Sequence, residues 1–220
     1  TGELQILPGG ETDSKTGYRS AFQHKNETAK PGYYSVVLDD YKIKAELTAT
    51  KRTGLHRYTF PESENSNIII DLKNRDHVLE SNIEIISDTE IQGLRKSRRW
   101  AKQQFVYFYA KFSKPFSSYG IAINDTLVDG IDKAEGKNIR AFVNYDTKKD
   151  EQVLVKIGIS AVSIEGAKKN LEAENTAWDF EGVVANAKNE WNKFLSKIEV
   201  EGGTERERRI FYSGMYHTAI

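Results

Sequence analysis

The 220-residue chain predicts a mainly β fold, an antiparallel sandwich that hands over to α-helices, and three observations carry that reading. Successive segments alternate apolar and polar residues with no helical pattern between them, which argues against parallel βαβ units. From Ser163 onward the apolar spacing becomes helical. Hydrophobic residues make up 38% and charged residues 29% of the chain, a globular composition too apolar for a solvated disordered polymer.

From Thr1 to Gly32 the chain is rich in Gly, Lys, Thr and Asp, so it is expected to be mostly loop after a short strand at Leu4–Pro8. Strand signals begin at Tyr33–Leu38 and pass through an Asp39-Asp40 turn into a long alternating run. In that run Ile43, Ala45, Leu47 and Ala49 share one face, and Lys44, Glu46, Thr48 and Thr50 share the other. Further strands are expected at Leu55–Phe60, Ile68–Leu72, Ile83–Ile86, Phe105–Phe112, Tyr119–Ile123, Ile139–Tyr145 and Val153–Val162. The Phe105–Phe112 segment is apolar on both faces and is expected to run through the middle of a sandwich.

Three helices follow. Ile164, Ala167 and Leu171 form the first, capped by Ser163. Phe180 to Ile198 carries a continuous apolar stripe of Phe180, Val183, Val184, Ala187, Trp191, Phe194, Leu195 and Ile198. After Gly202-Gly203, Thr204 and Glu207 form a capping box, and the helix they open is expected to run to Ile220 as part of a longer protein. The organisation read from these signals is a β domain over residues 1–162, a helical linker over 163–201, and the first helix of another domain over 202–220.

Composition excludes several functions. With 32 Lys and Arg against 32 Asp and Glu, the chain lacks the cationic surplus of a nucleic-acid binder, so no nucleic-acid partner is expected. The absence of cysteine removes disulfides, thiolate zinc sites and thiol catalysis. No apolar run approaches the roughly 18 residues of a membrane span in this segment. His24, His56, His77 and His217 show no metal-ligand spacing, and the G-x-S-x-G, Walker and G-x-G-x-x-G signatures are missing. Asp39-Asp40 reads as turn chemistry, and Glu205 with Glu207 as helix-start acids. The basic cluster Arg95, Lys96, Arg98, Arg99 and Lys102 reads as a solvated strand connection around a buried Trp100, with phosphate binding or sugar stacking as the alternative. Asn26-Glu27-Thr28 and Asn124-Asp125-Thr126 are sequons that chance also explains.

Four groups of segments resemble glycoside hydrolase family 92. The first joins Lys30–Val36, Tyr41–Thr50 and Gly54–Pro61; the second joins Gln104–Phe108 and Phe112–Phe116. The third is Lys156–Ser160 with Ala167–Glu172, and the fourth is Trp191-Asn192, Leu195-Ser196, Ile198–Val200 and the helix from Thr204 to Thr218. The resemblance implies a galactose-mutarotase-like β-supersandwich, linker helices and the start of an (α/α)6 barrel. It also implies a bacterial, secreted or periplasmic, calcium-dependent exo-α-mannosidase that acts with inversion on terminal α-linked mannose, with α-1,2 the expected linkage, and whose carboxy-terminal (α/α)6 domain is its structural partner. The acid, the base and most calcium ligands would come from that barrel, leaving no catalytic or metal residue in this segment. By motif position the resemblance makes His56 and Tyr58 the candidate substrate-binding residues for a mannose-containing glycan. A cross-strand His-Tyr pair on a sheet surface is the plainer reading of the same two residues. A non-catalytic carbohydrate-binding or structural β-sandwich is the alternative for the whole segment.

Overall fold

A computed structural model describes residues 18–74 and 76–220. The strand expected at Leu4–Pro8 lies outside the described residues. Thirteen strands precede three helices: β1 Glu27–Lys30, β2 Tyr33–Leu38, β3 Ile43–Ala49, β4 Thr53–Phe60, β5 Ser63–Asp71, β6 His77–Ser87, β7 Glu90–Arg98, β8 Gln104–Phe112, β9 Ser118–Ile123, β10 Thr126–Val128, β11 Lys133–Gly136, β12 Ile139–Thr147 and β13 Glu151–Ser160; then α1 Ile164–Glu174, α2 Phe180–Leu195 and α3 Glu205–His217. They build a nine-stranded sheet, β1-β2-β3-β4-β13-β8-β7-β6-β11, and a four-stranded sheet, β10-β9-β12-β5. Every pairing is antiparallel.

The core lies between the sheets. The large sheet contributes Phe60, Ile83, Ile85, Ile91, Ala110, Phe112, Val153 and Val155, and the small sheet Ile121, Ile139, Ala141, Val143 and Tyr145. Strands β1 and β2 contribute nothing to this cluster and β3 only Ile43. The β1–β3 side of the large sheet is thus a wing that extends past the sandwich core.

The opposite face of the large sheet carries the helices. Tyr109 packs with Ala167 and Leu171 of α1, and α2 lies along β2, β3 and β4. Close approach is set by a glycine: a Cβ on Gly158 would sit 2.1 Å from the Ala167 carbonyl oxygen. At the far end of the small sheet Arg140, 2% exposed, is held by Asp71 and Asp125, while the Tyr18 hydroxyl donates to Asp71.

The expected helix starts are present. Ser163 accepts from the Gly166 amide at 3.0 Å, and Thr204 and Glu207 form a reciprocal capping box. Other details differ. The stretch expected to be loop up to Gly32 contains β1, which pairs with β2 at the sheet edge. The basic stretch is not a strand connection throughout, because Arg95, Lys96 and Arg98 lie in β7. Trp100 is not buried: it is 99% exposed in the turn that follows β7. Strand β13 stops at Ser160 and α2 at Leu195, a few residues short of the expected ends at Val162 and Ile198.

Candidate functional site

Gly54-Leu55-His56-Arg57-Tyr58 occupies the middle of β4, and strand alternation sends its side chains to two different places. His56 and Tyr58 join Phe60 on the sandwich side, while Leu55 and Arg57 face the helices. His56 sits opposite Leu47 of β3 and Val155 of β13, at the junction of core and wing. Its Nδ1 lies 3.0 Å from the Tyr58 hydroxyl, and the two rings meet edge to face at 5.9 Å. Among the described residues the other ring nitrogen has no hydrogen-bond partner. The structure therefore brings the two candidate residues into direct contact, as neighbours along one strand rather than as a pair across strands.

Burial shapes their chemistry. Desolvation pushes the His56 pKa down to about 4 and the Tyr58 pKa up to about 12, so both rings are neutral at ordinary pH. A neutral imidazole on a half-buried sheet face can exchange hydrogen bonds with hydroxyl groups, and the adjoining ring offers an apolar wall. With its pKa near 4, His56 is a poor proton acceptor at neutral pH.

On the helix side the same strand builds a charged joint. Arg57 donates to Glu46 at 2.8 and 2.9 Å and to Glu181 of α2 at 2.8 Å, and lies 4.1 Å over the Phe180 ring. Burial alone would raise the Glu46 pKa, but hydrogen bonds from Arg57, Lys44 and Tyr33 hold it at about 2. A second joint lies one strand over. Lys156, 4% exposed, donates to the carbonyl oxygens of Asn175 and Thr176 at 3.1 and 2.8 Å and stands 4.2 Å over the Trp178 ring. Glu174 at the end of α1 accepts from the Thr50 hydroxyl at 2.6 Å and the Arg52 amide at 3.0 Å. Sequence reasoning did not single out these joints, whose members are separated by up to 124 residues.

Among the described residues no group of three or more His, Cys, Asp or Glu could hold a metal ion. No helix among them is long and apolar enough to cross a membrane.

Two family models match consecutive parts of the chain: the glycosyl hydrolase family 92 N-terminal domain over residues 1–160, and the glycosyl hydrolase family 92 catalytic domain over residues 166–220. The second match begins at α1, within the segment expected from sequence to be a linker. Among solved structures, a family 92 alpha-mannosidase of Bacteroides thetaiotaomicron is 36% identical with a TM-score of 0.92, covering 100% of this chain and 31% of that one. A family 92 inverting mannosidase of the same species is 28% identical with a TM-score of 0.82, covering 90% of this chain and 27% of that one. A curated relative from Arthroderma benhamiae, described as an uncharacterized secreted glycosidase, is 24% identical over 217 residues, covering 87% of this chain and 28% of the relative. The chain spans about three-tenths of the length of these relatives.

Proposed function

Because this chain belongs to glycosyl hydrolase family 92, we propose that it is the amino-terminal part of an exo-acting α-mannosidase that removes terminal α-linked mannose, α-1,2-linked in the first instance, from glycans such as N-glycans. The observation that supports this reading is the superposition of the whole of this chain on 31% of an alpha-mannosidase at 36% identity, with sandwich and helices matched together. In this reading a carboxylic acid protonates the departing oxygen while a carboxylate activates water on the opposite ring face, giving inversion. Both carboxyls belong to the helical domain of the parent enzyme. The described residues brace that domain through the Arg57, Lys156 and Glu174 joints, and His56 with Tyr58 lines the sugar-facing side of the sheet.

Calcium belongs to the same proposal for the parent enzyme, with its ligands outside the described residues; a hard cation with oxygen ligands suits sugar hydroxyls. A bacterial origin and a secreted or periplasmic location complete the reading, supported for secretion by the description of the curated relative.

The test uses the full-length protein and an α-linked mannobiose, followed by proton NMR. Release of mannose that appears first as the β anomer is expected. Initial α-mannose would overturn inversion, and no release would overturn the mannosidase reading. Activity lost to a chelator and restored by calcium is the expected metal response, and full activity after chelation would remove calcium from the scheme.

A further inference from the structure

The two nitrogens of His56 cannot play the same part, and its surroundings decide which of them carries the proton. Burial keeps the imidazole uncharged at ordinary pH, so one nitrogen is a donor and the other an acceptor. Nδ1 stands 3.0 Å from the Tyr58 hydroxyl, and two arrangements satisfy that distance. If Nδ1 donates, the phenol proton is left without an acceptor among the described residues, and Nε2 becomes a bare lone pair. If the phenol donates, its proton and the Nδ1 lone pair satisfy each other, and the Nε2 proton alone seeks a partner. The second arrangement wins on both counts. It strands fewer desolvated polar groups, and it matches the more acidic hydroxyl with the more basic nitrogen.

The Nε2 edge lies beside Gly54, two residues earlier on the same face of β4, where a Cβ would come within 3.5 Å of that nitrogen. Glycine leaves the edge uncovered on that side. We infer that Tyr58 donates to Nδ1 and thereby holds His56 as the Nε2–H tautomer, a fixed hydrogen-bond donor for one hydroxyl oxygen of the glycan. Tyr58 is a positioning residue in this scheme, because it acts on the sugar through the imidazole. A donor-only edge also selects its ligand: an oxygen with a free lone pair gains a bond, whereas a deoxy carbon leaves the N–H unpaired. The tautomer is a property of this chain, and the sugar acceptor rests on the mannosidase reading.

The experiment is ring-nitrogen NMR of the full-length protein labelled at histidine, with His56→Gln identifying the His56 signals. A proton on Nε2 and none on Nδ1 is expected. Tyr58→Phe should bring in the Nδ1–H tautomer and raise the KM for a terminal α-mannoside about fivefold, with kcat little changed. Among monodeoxy α-mannosides, one should bind about tenfold more weakly than the intact sugar and show no further loss in His56→Ala. A proton on Nδ1 in the parent, or the same ring signals in Tyr58→Phe, would overturn the tautomer. A His56→Ala loss that is equal for every monodeoxy analogue would overturn the hydroxyl as acceptor. A full-length protein that releases no mannose would overturn the mannosidase reading and with it the sugar acceptor, while the ring signals still decide the tautomer.

Discussion

Arg57 and Glu46 face each other across β3 and β4, and the arginine that closes on the buried carboxylate also reaches Glu181 on α2. Glu46 is 3% exposed, so its charge depends on these partners. Arg57→Met should therefore cost roughly 3 kcal/mol, toward the low end for a broken buried pair because Lys44 stays 3.0 Å from Glu46. Denaturant melts measure this. Adding Glu46→Leu should restore most of the loss, and a single variant within about 0.5 kcal/mol of the parent would show the joint to be inert.

Stability should fall in two acid steps. The folded state keeps His56 neutral down to about pH 4, whereas an unfolded chain protonates it near 6.5. Its contribution is full above 6.5 and lost as pH falls to 4. Glu46 stays ionised in the fold down to about 2 against an ordinary 4.5, so its contribution is full above 4.5 and lost toward 2. Each step is on the order of 3 kcal/mol at most. Melting midpoints against pH should lose the first step in His56→Gln and the second in Glu46→Gln; unchanged slopes in both would contradict the assignment.

Gly158→Ala tests how closely α1 sits on the sheet. The new methyl would meet the Ala167 carbonyl oxygen at 2.1 Å and the Leu171 Cβ at 2.9 Å. The helix must move, at a cost of about 1–3 kcal/mol. Thermal melts and Tyr109 hydroxyl reactivity should both report it. A variant as stable as the parent would mean that the helix yields freely.

His56→Ala in the full-length protein should raise the KM for a terminal α-mannoside about tenfold with little change in kcat, as for a lost ground-state contact. Loss of its hydrogen bond to Tyr58 should cost about 1 kcal/mol of stability. Tyr58→Phe removes the same bond while keeping the ring. Normal KM in both variants, with only the melting point lowered, would make the pair structural.

Much of this architecture was legible in local patterns. The Ile43–Ala49 alternation places Ala45 and Leu47 on one face and Glu46 on the other, as β3 does. Ser163 and Thr204 announce helix starts because a cap acts within three residues. Strand β7 was hidden in its own sequence, since Arg95 points where an apolar residue is expected and finds backbone carbonyls from another part of the chain. Strands β10 and β11 span three and four residues, too few for alternation to register. The burial expected of Trp100 failed because hydrophobicity says nothing about which side of a turn meets the core.

Alternation, caps and composition, all properties of neighbouring residues, were enough to establish a β-to-helix order and to mark His56 and Tyr58 as sharing a face. Tertiary structure decided which strands joined which sheet, left a wing beyond the core, and brought Arg57 to Glu181 across 124 residues. Periodicity describes the side a residue faces, whereas its partner depends on how distant segments share the same buried volume.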